Sequence, residues 1–77
     1  MFKKFINSDC LISIMFAGQT ISGGTSTEFV RGVILQVNDL GDFVEFYIQE
    51  KSQVKGKVVG EKWLIVKKTN LVYIKQV

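Results

Sequence analysis

The fold is decided near the end of the chain, by the segment Trp63-Leu64-Ile65-Val66-Lys67-Lys68-Thr69-Asn70-Leu71-Val72-Tyr73-Ile74. It consists of two short apolar runs joined by a basic, polar hinge at residues 67–70. Both runs are rich in β-branched and aromatic residues, which favour strands over helices. The segment therefore predicts two final strands, or one strand bent at the hinge.

The other apolar runs alternate with a period of two, which is typical of half-buried strands. Gly32 lies in the middle of the longest run, residues 27–38, and indicates a sharp bend or a close backbone approach. The residues predicted to face inward are Cys10, Ile12, Ile14 and Phe16 in the first run, Phe29, Val33, Leu35 and Val37 in the second, and Val44, Phe46 and Ile48 in the third. Ser13 is predicted on the opposite face, and Arg31 interrupts the second run.

Turn residues separate these runs. Asn38-Asp39-Leu40-Gly41-Asp42 is a predicted turn because Asn, Asp and Gly tolerate positive φ. Residues 17–20 predict a hairpin turn, and Gly23-Gly24-Thr25-Ser26 is either a loop tip or a bulge in a bent strand. Residues 51–61 predict a polar hairpin tip before a strand at 62–66. Near the start of the chain, Phe2, Phe5 and Ile6 stand at helical spacing and predict one or two helical turns.

These elements predict an all-β fold, with residues 1–77 forming a single domain. Five short, strongly bent antiparallel strands fit a small SH3-like barrel with a short N-terminal helix. The chain has no proline to protect a strand edge, and unprotected edges favour pairing with another subunit. A homo-oligomer is therefore expected, and it would compensate for the small core.

Composition excludes several kinds of site. The chain has no histidine and one cysteine, Cys10, so neither an internal disulfide nor a structural zinc site is expected. No nucleophile–base pair or paired-acid spacing points to an enzyme, and no cofactor is expected. The net charge is +3, with a sequence pI of about 9.2. No run approaches the length of a membrane span, so the expected location is the cytoplasm.

The motifs resemble the Sm-like (LSm/Hfq-type) family of small RNA-binding β-barrels. The first Sm motif is echoed by Ile12-Ser13-Ile14-Met15-Phe16-Ala17-Gly18, by Val30-Arg31-Gly32-Val33-Ile34, and by Val37-Asn38-Asp39 before Phe43-Val44. The second is echoed by residues 66–74, which are similar to the family's Ile-Arg-Gly-x-Asn-(apolar)-(apolar)-Tyr-Ile ending. Glu45 and Lys68 depart from the pattern. RNA-binding members of one branch of the family keep an asparagine at the position of Glu45, and the family's hinge has a glycine at the position of Lys68.

The resemblance implies a fold and a function. It implies a ring of six or seven subunits, in which strand four of one subunit pairs with strand five of the next. It also implies single-stranded RNA, often uridine-rich, around the pore. By position, Lys67 and Lys68 would form a basic rim, and the base pocket would lie near Asp39, Phe43 and Asn70.

Two alternatives stay open at this stage. The lysine pair at the hinge is either an RNA-binding rim or a pair of solvated lysines at a turn. Likewise, the chain is either a non-catalytic RNA-binding ring protein or an SH3-like barrel that serves as a protein-interaction or assembly module without nucleic acid. Aromatic residues on the strands, such as Tyr47 and Trp63, belong to a core, to a subunit interface or to a base-stacking surface.

Overall fold

A computed structural model describes residues 2–17 and 25–77. Its elements are a 3₁₀ turn at Lys3–Phe5 followed by strands β1 (Asp9–Ala17), β2 (Thr25–Leu40), β3 (Phe43–Lys51) and β4 (Val58–Lys67). A second 3₁₀ turn at Lys68–Asn70 leads into β5 (Leu71–Gln76). The fold is thus all-β with almost no helix, as the sequence predicts. Of the turn predicted at residues 17–20 and the loop or bulge predicted at 23–26, residues 18–20, 23 and 24 lie outside the described residues. Ala17 ends β1, and Thr25 and Ser26 begin β2.

The five strands form one antiparallel sheet in the order β4-β3-β2-β1-β5. Strands β1 to β4 follow one another as a meander, and β5 crosses to pair with β1 through contacts such as Ile12 with Ile74. Strands β4 and β5 therefore end the sheet, and no ladder joins them in the described ranges. The sheet is open on that side.

The core lies on one face of the sheet. As predicted, Cys10, Ile12, Ile14, Val44, Phe46 and Ile48 are buried there. Phe2 packs edge-on against Phe46, with ring centroids 5.9 Å apart, and Phe5 and Ile6 also pack against the core. The N-terminal turn therefore covers one part of the core, although it is a single 3₁₀ turn. The inward orientation predicted for Phe16 lies outside the described side chains.

The predicted inward face of β2 is wrong. The buried residues are Val30, Gly32 and Ile34, whereas Phe29 is exposed and Val33 is only half-buried. The pairing with β3 shifts register between Ile34 and Gln36, which changes the parity of the strand. Val37, beyond this bulge, does pack against the core. Arg31 and Gln36, the polar residues of this run, have opposite parity along the strand, so strict alternation does not identify one outer face.

Ser13 lies on the face opposite to Ile12 and Ile14, as predicted, and it is buried there, with Phe29 and Tyr73 as its neighbours in the ladders. One further prediction needs correction. Strand β4 begins at Val58, so residues 58–61 are strand and only residues 52–57 form the hairpin connection. Pairing between Glu50 and Gly60 extends the ladder to that point.

Gly32 marks a close approach between β2 and β3, as its position in the run indicated. A Cβ atom at this position would overlap the backbone carbonyl of Gln49, and it would also lie 3.0 Å from the Cα of Glu50. Both neighbours are backbone atoms in the middle of the sheet, so neither moves without distorting the ladder. Glycine is therefore required here for packing.

We expect Gly32→Ala to lower the free energy of unfolding by about 1–3 kcal/mol, the usual cost of forcing extra atoms into a packed site. Urea denaturation followed by circular dichroism measures the change. Thr27→Ala, at an exposed position of the same strand, is the control and should cost less than about 1 kcal/mol. A Gly32→Ala protein as stable as wild type would contradict the close approach.

Asp9 ties the start of β1 to its neighbours. Its Oδ2 accepts hydrogen bonds from Arg31 Nη2 at 3.2 Å and from Lys51 Nζ at 3.1 Å, so one carboxylate joins the start of β1 to the middle of β2 and the end of β3. Burial alone would raise the pKa of Asp9, but the hydrogen bonds and positive charges of Arg31 and Lys51 outweigh it and lower that pKa below 3.8. The carboxylate therefore stabilises the fold above its ordinary pKa, and this stabilisation is lost as pH falls below about 4.

We expect Asp9→Asn to cost about 1–2 kcal/mol of unfolding free energy at neutral pH, because hydrogen bonds to charged groups are among the stronger ones. The variant should then lose less stability than wild type between about pH 5 and pH 3. Urea denaturation at a fixed protein concentration measures both effects. Asp42→Asn, in the exposed β2–β3 turn, is the control; equal acid sensitivity of wild type and Asp9→Asn would contradict this role.

Candidate nucleic-acid interface at the hinge

Within the hinge, Lys68–Asn70 form a single 3₁₀ turn between β4 and β5. The turn is closed by a hydrogen bond from the Leu71 amide to the Lys68 carbonyl. The Lys68 amide in turn donates to the Asp42 carbonyl at 2.9 Å. The hinge is thereby tied to the turn between β2 and β3, and the two predicted halves of the site lie side by side.

An ion pair strengthens that connection. Lys68 Nζ lies 2.7 Å from Asp39 Oδ1, and the same oxygen accepts a hydrogen bond from the Gly41 amide at 3.0 Å. The hydrogen bond from Lys68, and then that from Gly41, lower the pKa of Asp39. Asp39 is therefore ionised at neutral pH, and it neutralises one of the two hinge lysines.

Three of the predicted site residues line one cavity. Phe43, Lys67 and Asn70 surround a cavity of about 290 Å³ together with Ile14, Leu64, Ile65 and Val66. Phe43 and Lys67 are direct neighbours in the β3–β4 ladder, and the Phe43 ring is 44% exposed. Lys67 is exposed and forms no ion pair within residues 2–17 and 25–77. Asp39 and Lys68 are not in the lining.

The apolar wall of this cavity was not among the predicted site residues. Leu64 and Val66 face the core side of β4, and Ile14 comes from β1. The alternation of apolar residues in the first run predicted that Ile14 faces inward. It did not show that Ile14 lies beside the end of β4 and contributes to this cavity. The missing information is the strand order.

The two departures from the family pattern are accommodated locally. Glu45 Oε1 accepts a hydrogen bond from Asn38 Nδ2 at 2.9 Å, and Glu45 does not line the cavity. Lys68 adopts the 3₁₀ conformation, and Asn7 is the one non-glycine residue with positive φ in the described part of the chain. Lys68 therefore carries no strain from the missing glycine.

The chemistry of the cavity is that of a non-covalent binding site. An aromatic ring, an amide and an unpaired ammonium group face a mainly apolar wall, which suits a planar ligand carrying negative charge. No group of three or more histidine, cysteine or acidic residues capable of holding a metal occurs among the described residues. No helix there is long and apolar enough to cross a membrane.

Comparison with known proteins gives no match: no family model, no curated protein and no solved structure is significantly similar to the chain.

Proposed function

We propose that the chain is a non-catalytic, Sm-like protein that assembles into a homo-oligomeric ring and binds single-stranded RNA at the hinge. The observation that carries the proposal is the cavity shared by Phe43, Lys67 and Asn70. Those three residues come from β3, β4 and the hinge, and each has a distinct role in recognising a nucleotide. The expected ring contains six or seven subunits.

Each lining residue contributes one interaction with a nucleotide. The exposed Phe43 ring stacks on a base, which contributes about 1–3 kcal/mol per base. The Asn70 amide offers both a donor and an acceptor to the edge of that base. Lys67 contacts phosphate, and this contribution weakens as salt rises. Repetition around a ring raises the overall affinity for a strand that reaches several sites.

The open side of the sheet supports self-assembly. Within the described ranges, strands β4 and β5 each have one neighbour, and apolar residues are exposed on both: Val58 and Val59 on β4, and Val72 and Tyr73 on β5. Pairing β4 of one subunit with β5 of the next would satisfy the backbone of both strands and cover part of this apolar surface. Such a contact is head-to-tail, and repetition of it closes a ring.

The alternative function is an assembly module that binds no nucleic acid. The Lys68–Asp39 ion pair favours it, because it leaves Lys67 as the only hinge lysine without a carboxylate partner in the described ranges. The two functions share the oligomer and differ in whether the hinge cavity binds RNA. Direct binding measurements separate them.

We expect a fluorescent oligo-uridine to bind the purified protein. Lys67→Glu should weaken the binding by at least about fivefold, and it should reduce the slope of log affinity against log salt concentration by about one per site. Fluorescence anisotropy over a salt series measures both. Lys55→Glu, in the exposed 52–57 connection, is the matched control. Wild-type protein that fails to bind oligo-uridine, or equal losses in the two variants, would favour the assembly module.

A second prediction concerns the edge of β5. Val72→Lys should reduce the oligomer to smaller species, because charged lysine at a strand edge opposes edge pairing. Val54→Lys makes the same change at a 91% exposed loop position and should leave the mass unchanged. Size-exclusion chromatography with light scattering reports the mass. An unchanged oligomer in Val72→Lys would argue against assembly through this edge.

A further inference from the structure

The outer face of β3 and β4 carries a second surface, which we call the ring-pair face. It consists of Glu45 and Tyr47 on β3 and Glu61, Trp63 and Ile65 on β4, and it adjoins the hinge cavity at Ile65. These residues alternate with Val44, Phe46, Ile48 and Val66, which are buried on the core side. The ring-pair face therefore points away from the core.

Two aromatic rings lie at the centre of this face. Tyr47 and Trp63 are opposite each other in the ladder, with ring centroids 4.6 Å apart and an angle of 36° between the ring planes. Trp63 is 52% exposed and the adjacent Ile65 is 58% exposed. The contact fixes the two rings side by side and leaves much of the indole open. Exposed clusters of large apolar residues commonly mark interaction sites.

A carboxylate stands on each side of the ring pair. Glu45 is opposite Ile65, one row before the rings, and Glu61 is opposite Gln49, one row after them. Tyr47 Oη donates a hydrogen bond to Glu61 Oε1 at 2.7 Å, which adds to the order of this arrangement. In each carboxylate the second oxygen, Oε2, makes no hydrogen bond among the described residues.

The ring-pair face is locally negative on a positively charged chain. The ion pairs of the described ranges use Asp9, Asp39 and Glu50 as their acids, and neither Glu45 nor Glu61 takes part. Lys67 is on the same side of β4, one row beyond Glu45 and Ile65, and it lies four residues from Trp63, about 13 Å along the strand. Two uncompensated carboxylates and an open indole therefore present a surface suited to cations and unfavourable to phosphate.

We propose that the ring-pair face binds an extended peptide through alternate arginine side chains. One guanidinium stacks on Trp63, and its two flanking neighbours pair with Glu45 and Glu61. Arginine fits better than lysine because its planar group both stacks on aromatic rings and forms paired hydrogen bonds with a carboxylate. RNA is disfavoured here because both flanking groups repel its backbone.

The spacing of the three groups determines the peptide. Adjacent rows on one face of a sheet are two residues apart, so the rows of Glu45, of the rings and of Glu61 follow one another at about 6.6 Å. An extended peptide presents every second side chain to the same side with that same spacing. The sequence Arg-x-Arg-x-Arg therefore matches the face, whereas three consecutive arginines direct their side chains to opposite sides.

The one tryptophan of the chain provides the readout. We would titrate the full protein with acetyl-Gly-Arg-Gly-Arg-Gly-Arg-Gly-amide and follow the emission of Trp63. The comparison peptide, acetyl-Gly-Gly-Arg-Arg-Arg-Gly-Gly-amide, has identical composition and charge. The alternating peptide should give a saturable change and bind at least about fivefold more tightly. Its citrulline analogue, which is neutral, should not bind, because cation–π and carboxylate contacts both require the charge.

Variants assign the binding to the face. The double substitution Glu45→Gln with Glu61→Gln keeps both side-chain acceptors and should weaken binding about tenfold, whereas Glu28→Gln, at an exposed position of β2, should not change it. By calorimetry, Trp63→Phe should bind about threefold more weakly, since indole is the best of the aromatic partners for a cation. Lys55→Glu, in the exposed 52–57 connection, should leave peptide affinity within about twofold.

Several outcomes would overturn the proposal. They are an absence of peptide binding, equal affinity for the two arginine peptides, and full binding by the double glutamine variant with native circular dichroism. Oligo-uridine that competes with the peptide would assign the face to nucleic acid instead. Trp63 emission that changes on dilution of the protein alone would show that a second copy covers the rings.

Discussion

The structure depends on a constraint of the backbone: within residues 2–17 and 25–77, the two end strands of the sheet pair with another strand on one side only. In the order β4-β3-β2-β1-β5, these are β4 and β5. An unpaired edge is a template for another strand, and large monomeric sheets protect such edges with prolines or charges. Here the chain has no proline, and Val59, Ile65 and Val72 are exposed on these strands. The proposed assembly through both edges follows from this constraint.

The same open side connects assembly to the hinge. The cavity that Phe43, Lys67 and Asn70 share lies at the end of β4, where the sheet does not close. The Lys68–Asp39 ion pair and the Lys68–Asp42 backbone hydrogen bond hold the hinge against the β2–β3 turn. A contact along β4 would thus border the proposed RNA site on one side, and the ring-pair face, which carries the opposite charge, adjoins that site at Ile65.

Sequence patterns predicted part of this structure for identifiable reasons. In β3, polar residues alternate with Val44, Phe46 and Ile48, so the inward face was predicted correctly, and the strand-hinge-strand ending follows from the lysines between two β-branched runs. In β2, the polar residues Arg31 and Gln36 have opposite parity, because the bulge after Ile34 reverses the alternation. The wall of the cavity depends on β5 pairing with β1 across more than fifty residues, which no local pattern contains.

Amide hydrogen exchange along β4 and β5 tests the account most directly, because it reports the hydrogen bonds of the edges themselves. If copies of the chain pair through these edges, the amides of both strands that point away from β3 and β1 should exchange slowly. Their protection should fall as the protein is diluted, since it depends on a second molecule. Outward amides that exchange as fast as those of the 52–57 connection at every concentration would contradict it.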